Sequence, residues 1–309
     1  MLRRSARTAY PETTLNISRA TSPIAIVQIL LRELRVEHTL FALPFAYVGA
    51  VVAARGLPTL HQFVWITLAV LGARTAAMAA NRYVDREIDA RNPRTARRAL
   101  ASGTLAPGVM LGAAVAGIIL LVVSAALLSP LCLRLLPLAA LGIVAYPFCK
   151  RFTWGVHFVL GAVDGFAPLG AFIAVSSTVS WAAVLLFVAV TLWVAGFDVI
   201  YALMDRDVDL AQNIRSIPAR FGEQNGRRAP LVMHVAMAAI LALAGIFAGA
   251  GPLYYLGAIF ALVLAFYEHR LFDRAENVFV LNERVFIANM AFSVAFLAAT
   301  YAGFAWHGL

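Results

Sequence analysis

Asn81, Asp85 and Asp89 fall four residues apart in the stretch Asn81-Arg82-Tyr83-Val84-Asp85-Arg86-Glu87-Ile88-Asp89, at the end of a long apolar run. Spacing of i, i+4, i+8 places the three side chains on one helical face, with their oxygens directed at one spot. A second acidic stretch lies far downstream, also after an apolar run: Asp198, Asp205 and Asp209, at i, i+7, i+11, again share a face. Magnesium takes oxygen ligands and is commonly held by a few carboxylates plus substrate phosphates, so two such faces can clamp one diphosphate between two ions. The bland alternative is a pair of solvated helix ends, against which stands the doubling of the pattern. Glu87 and Asp207 lie off the shared faces and read as solvated or paired with arginine.

The elements that must carry these faces are membrane helices. Hydrophobic residues make up 62% of the 309 and charged residues only 13%, far from the proportions of a soluble domain. Apolar runs near the length that crosses a bilayer recur along the chain, about 20 residues each. They lack the short alternation of a barrel, so the expected fold class is an all-α membrane protein, a bundle of nine transmembrane helices with cytoplasmic cap loops or short helices. The expected spans are 39–54, 60–80, 108–128, 131–148, 155–175, 181–203, 229–249, 252–267 and 285–306. Residues 1–23 read as a flexible tail, with Pro11 and Pro23 as breakers, and 24–309 as one polytopic domain. An amphipathic stretch, 24–38, leads into the first span. No cleaved signal peptide is expected, because polar sequence follows Arg3, Arg4 and Arg7.

The links between spans alternate. One set is short and nearly uncharged; the other (82–107, 150–154, 204–228 and 268–284) holds the arginines. By the positive-inside rule the second set, with the N-terminal tail, faces the cytoplasm, and both acidic stretches belong to that side. The second and sixth spans are each followed by a polar loop of roughly two dozen residues, long enough to suggest short cap helices and an internal duplication. The net charge of +9 is almost wholly arginine, a cation that forks onto phosphate and stays charged when partly desolvated. Arg98, Lys150, Arg151, Arg215 and Arg220 lie nearest the acidic stretches in sequence, and each alone also suits a positive-inside role.

A departing diphosphate leaves an allylic cation, which needs a dry, aromatic-walled pocket. Phe41, Phe45, Tyr83, Tyr146, Phe148, Phe152, Trp154 and Tyr201 are candidate walls or interface anchors. Asp164 sits in mid-span, where an ionisable group usually faces a cavity; it touches an acceptor or serves the bundle as a structural residue. His157 reads as a packing residue or a lining of the mouth. Arg74, two turns before Asn81, snorkels or pairs with a carboxylate. Cys132 and Cys149 show no metal-ligand spacing.

These residues carry a resemblance. Asn81-x3-Asp85-x3-Asp89, with Thr95-Ala96-Arg97-Arg98-Ala99-Leu100-Ala101-Ser102-Gly103 behind it, resembles the first motif of the UbiA superfamily of intramembrane prenyltransferases. Asp198-x2-Tyr201-Ala202-x2-Asp205-x3-Asp209, followed by Arg215-Ser216 and Phe221-Gly222, resembles the second, and 146–153 is similar to a segment of the 4-hydroxybenzoate polyprenyltransferase branch. The resemblance implies a magnesium-dependent enzyme of the bacterial inner membrane. It would join a polyprenyl group from its diphosphate to a ring carbon of an aromatic acid, in ubiquinone or menaquinone biosynthesis, with no nucleic acid partner.

It also implies roles: Asn81, Asp85, Asp89, Asp198, Asp205 and Asp209 as metal ligands, with Asp85, Asp198 and Tyr201 at the chemistry. Arg98 and Lys150 face the diphosphate, and Arg151 meets the acceptor's carboxylate; from their positions alone, Arg215 is a further phosphate contact and Asp164 an acceptor contact or a structural residue. Arg82 departs from an aspartate common in the family, and Ala99 and Ala101 from prolines. Residues 35–46 are closer to a branch that prenylates 1,4-dihydroxy-6-naphthoate, an alternative acceptor. A secondary transporter, with Asp164 as the ion site, is the alternative from another class.

Overall fold

In the computed structural model, described for residues 22–34, 39–275 and 277–305, ten helices follow in order. They are α1 (Pro23–Glu33), α2 (Thr39–Ala54), α3 (Leu60–Arg91), α4 (Pro107–Leu128), α5 (Pro130–Cys149), α6 (Val156–Ser176), α7 (Trp181–Ala211), α8 (Ile217–Ala248), α9 (Pro252–Arg274) and α10 (Val278–Ala305). Eight, α3 to α10, are long and apolar enough to cross a bilayer, and α2 is a shorter apolar helix of 16 residues. The chain is therefore an integral, multi-pass membrane protein. The expected tail at 1–21 and Phe41's side chain lie outside the described residues.

Local chemistry sets the helix starts. Thr59 and Gln62 form a reciprocal capping box at α3, while Ser129, Ser180 and Ser216 accept backbone N–H bonds at α5, α7 and α8. Proline occupies the first turn of α4, α5, α8 and α9, where its missing N–H costs nothing. Apolar faces then pack in chain order: α3 on α4, α6 on α7, α7 on α8, α9 on α10. Helix α2 meets both α6 and α10 and closes the bundle. Its Phe45 sits among Trp193, Phe292 and Phe296, with ring centroids 4.5, 5.9 and 5.8 Å away, and is fully buried. Phe45 is thus a core residue, which corrects its reading as a pocket wall. Leu138, Leu141, Ile246 and Val263 point outward, as lipid-facing side chains must.

The polar links are cap loops and short helical pieces, as expected, but much of their length belongs to the helices of the spans themselves. Helix α3 runs 32 residues and α7 runs 31, about 47 Å each, against roughly 30 Å of hydrocarbon. Both acidic stretches ride on the same continuous helices as the spans below them. No separate cap helix lies between α3 and α4, where residues 92–106 form turns, and the α7–α8 link is short. Hydropathy marks where a helix leaves the lipid, not where its hydrogen bonding stops. Within α8, Gly222 at φ +84° breaks the helical path after one short turn, a conformation that L side chains rarely adopt. The amphipathic α1 supplies the cap: Ile26, Ile29, Leu30 and Leu34 pack on Ala79, Ala99, Leu100 and Leu105. Its Glu33 accepts a bond from the Ala99 N–H at 2.9 Å and lies 3.4 Å from Arg82. That pairing gives Arg82, the departure from the family pattern, a buried role.

Helices α6 and α7 approach closely at Gly161, where a Cβ would stand 2.1 Å from the Thr191 carbonyl oxygen. Gly161→Ala is expected to force these backbones apart and cost about 1–3 kcal/mol, read as a lower thermal midpoint in detergent.

Candidate active site

The two acidic faces meet at the arginine-rich end of the bundle. On α3, Asp85 is almost fully buried and accepts from Asn81 Nδ2 at 3.0 Å and from Lys150 Nζ at 2.5 Å. Its other oxygen, Oδ1, has no hydrogen bond, with Arg151 3.5 Å away. One turn on, both oxygens of Asp89 accept from Arg98, at 2.8 and 2.7 Å. On α7, Asp205 accepts from Asn92 at 3.2 Å and from Arg94 Nε at 2.8 Å, with a second bond to the same guanidinium. Asn92 and Arg94 stand directly after α3, so this fork ties the end of one acidic helix to the face of the other. Burial alone would lower the Arg94 guanidinium, but Asp205, with Asp89 and Asp209 behind it, holds it above its ordinary value. Lys150 is likewise within electrostatic reach of both Asp85 and Asp209.

Asp198 and Asp209 are braced from the start of α8. Ser216 Oγ donates to Asp209 at 3.0 Å while capping the helix. The Ile217 N–H donates to His157 Nε2 at 3.1 Å, which leaves the ring proton on Nδ1, 2.7 Å from an Asp198 oxygen. The Arg215 N–H donates to the Lys150 carbonyl at 2.8 Å. Three consecutive residues thus hold groups on α6, on α7 and at the end of α5. Tyr146 lies within reach of the charges of Asp198, Asp85, Asp164 and Arg82, and Tyr201 packs edge-on to Phe197 at 4.7 Å.

Most expected residues therefore converge, though several in other postures. Arg215 contributes its backbone, and its exposed guanidinium donates to the Phe152 carbonyl at 2.7 Å. Arg151 donates to the carbonyls of Pro147 and Val84, at 2.8 and 3.1 Å, and stands 3.5 Å from Asp85. Phe148, Phe152 and Trp154 are exposed, which suits interface anchors better than pocket walls. Asp164 lies below the cluster beside Arg74, on the wall of an apolar cavity of about 370 Å³ between α3, α4, α5 and α6. Sequence reasoning missed Arg94 and Asn92, and it quoted Ser216 within the second motif without giving it a role. Their signal was proximity to the acidic stretches combined with side-chain type, in Asn92-Pro93-Arg94 and in a serine one residue before a proline-started helix.

Among the described residues no three acidic, histidine or cysteine side chains already form one metal cage. The donor set nonetheless fits a hard divalent cation. It is all oxygen, it includes the unbonded Asp85 Oδ1, and magnesium characteristically takes one or two carboxylates and completes its shell with phosphate and water.

The UbiA prenyltransferase family matches residues 42–290 of the chain. The 4-hydroxybenzoate octaprenyltransferase of Alkalilimnicola ehrlichii is 35% identical over 243 residues, 78% of this chain and 81% of that one. The enzyme of the same name from Nitrosococcus oceani is 33% identical over 259 residues, 84% of this chain and 88% of its own. The apo structure of a UbiA homolog from Aeropyrum pernix K1 superposes with a TM-score of 0.75 at 34% identity, covering 89% of this chain and 99% of that one. A UbiA homolog from Archaeoglobus fulgidus bound to GPP and Mg2+ shares the fold, with a TM-score of 0.67 at 16% identity, over 89% of this chain and 99% of its own.

Ser216→Ala removes both the α8 cap and the Asp209 bond. It is expected to cost about 1 kcal/mol by thermal unfolding, with Ser216→Thr retaining most of that stability.

Proposed function

The chain belongs to the UbiA prenyltransferase family, and from that premise we propose that it transfers a polyprenyl group from polyprenyl diphosphate to a ring carbon of 4-hydroxybenzoate or a close aromatic acid. The observation that carries the reading is the meeting of two acidic helix ends, interleaved with Lys150, Arg94 and Arg98, directly above an apolar cavity. That is the polarity of the substrate itself, a diphosphate on an isoprenoid tail. The cavity suits the tail, which does not leave the bilayer cheaply, at about 0.8 kcal/mol per buried CH2.

Asn81, Asp85 and Asp89 on one side, and Asp198, Asp205 and Asp209 on the other, would hold Mg2+. Held there, the metal would supply charge neutralisation for the diphosphate as leaving group. Lys150 and Arg98, now on Asp85 and Asp89, are placed to turn toward phosphate oxygens. His157 keeps Asp198 oriented through its Nδ1–H. As the C1–O bond breaks, its electron pair departs with the diphosphate. The electron pair of the ring carbon ortho to the acceptor's hydroxyl then forms the C–C bond, and that carbon loses its proton. Tyr146, within reach of the charges of Asp85 and Asp198, and Tyr201, three residues after Asp198 on α7, are the aromatic groups assigned to the allylic cation.

The naphthoate alternative drew on residues 35–46, whose side chains up to 41 lie outside the described residues, and no further feature of the site favours it. The transporter alternative gives way to the family membership. The site is proposed to open on the cytoplasmic side of a bacterial inner membrane: of the lysines and arginines among the described residues, only Arg55 and Arg134 stand at the opposite end of the spans.

Asp85→Asn and Asp198→Asn are each expected to lower kcat by about a hundredfold or more while the protein still folds, and EDTA to remove activity that added Mg2+ restores. Near-normal magnesium-dependent transfer by either variant would contradict the assignment.

A further inference from the structure

Arg94 and Arg98 stand on residues 92–106, a run of turns with no helix of its own. A guanidinium that must meet a diphosphate at one distance and angle needs its backbone held. Much of that hold is internal. The Arg98 N–H donates to the Thr95 carbonyl, the Ser102 N–H to the Arg98 carbonyl and the Leu105 N–H to the Ala99 carbonyl, each at 2.9 Å. Thr95 Oγ1 also donates to the Asp89 carbonyl at 3.0 Å. The Ala99 N–H finds its acceptor elsewhere: Glu33 Oε1 on α1, at 2.9 Å and 66 residues earlier in the chain. That N–H belongs to the peptide unit that follows Arg98, whose guanidinium forks onto Asp89. Ala99 and Leu100 are buried in the apolar cluster they share with α1, so water is not at hand to replace Glu33 as the acceptor.

The other oxygen of the same carboxylate, Oε2, lies 3.4 Å from Nε of Arg82, which is buried on α3 one residue after Asn81. One side chain therefore spans from the Arg98 turn to the acidic helix. Arg82 and Ala99 are also two of the positions at which the sequence departs from the motifs it resembles, so Glu33 meets what is particular to this chain. Of the three polar side chains on α1, Gln28 and Arg32 are exposed and Glu33 turns inward. A carboxylate on the protein-facing side of an apolar helix is costly unless it is bonded. The helix that carries it is itself docked, through Ile26, Ile29, Leu30 and Leu34.

We propose that Glu33 is a positioning residue for the diphosphate end of the reaction: from α1 it fixes the peptide after Arg98 and the Arg82 side chain, and so sets where the Arg98 guanidinium meets phosphate. This rests on the transfer reading above, in which Arg98 turns from Asp89 to the diphosphate. Glu33 acts through Arg98, and α1 is thereby part of the machinery that the acidic faces serve.

The test measures transfer from geranyl diphosphate to 4-hydroxybenzoate by the purified full chain, with KM read separately for the two substrates. Glu33→Leu is expected to raise KM for geranyl diphosphate about tenfold and to leave KM for 4-hydroxybenzoate nearly unchanged. Glu33→Gln keeps the length and an amide oxygen for the Ala99 N–H, and is expected to recover most of the lost affinity. Glu33→Asp keeps the charge but falls one methylene short of Ala99; it is expected to resemble Glu33→Leu, and it carries the test if Glu33→Leu does not fold. A KM for geranyl diphosphate that stays at the wild-type value in these two variants, or that rises equally with the KM for the acid, overturns the proposal and leaves Glu33 a structural contact of α1. A wild-type protein that transfers nothing to the acid overturns the transfer reading and this proposal with it, so the two failures are distinct.

Discussion

Mutual neutralisation of opposite charges at the edge of the lipid is the constraint on which the rest of this structure depends. Two helices carry carboxylates just beyond the hydrocarbon, where each would repel its neighbours and resist burial. Basic side chains from other elements meet them: Lys150 from the end of α5, and Arg94 and Arg98 from the turns after α3. The Arg94 fork on Asp205 reaches from one acidic helix to the other, so neutralisation and assembly are one event. A diphosphate with divalent cations has the same mixture of charges, and the basic groups that hold the carboxylates are those that could pass to phosphate.

Below this polar lid the requirement reverses. The cavity between α3, α4, α5 and α6 is walled almost wholly by aliphatic side chains, and a charged headgroup has no place in it beyond the Arg74–Asp164 pair. The transition between the two regimes occurs along a single helix face, because α3 continues unbroken from membrane to solvent. Had the helix stopped at the lipid boundary, Asn81, Asp85 and Asp89 would have sat on a loop, with their convergence left to chance. Extending the helix keeps the acidic face in register with Arg74, two turns below.

A second polar network rigidifies the opposite half of the bundle. His234 Nδ1 lies 2.6 Å from Glu268, its Nε2 lies 3.0 Å from the Trp193 carbonyl, and Asn289 joins Glu268 to the Trp193 indole. All four side chains are buried, and they join α7, α8, α9 and α10. Buried polar groups that are mutually satisfied define one packing where apolar contacts alone would allow several. The face of α7 that presents Asp198 and Asp205 is thereby fixed against a frame as well as by its own site partners.

The sequence by itself determined the membrane-spanning helices, their alternating polarity and the two acidic faces, because each follows from periodicity and composition within one segment. Asn81, Asp85 and Asp89 could be placed on one face before any coordinates, as could Asp205 and Asp209. Only the tertiary structure decided which cation meets which carboxylate. Arg98 and Lys150 went to Asp89 and Asp85, Arg215 gave its side chain to the Phe152 carbonyl, and Arg94, Ser216 and His157 entered the site from elements far apart in the chain. Those pairings depend on how helices rotate and how far polar helices outlast the lipid. Neither is written in local spacing, because both result from packing between segments.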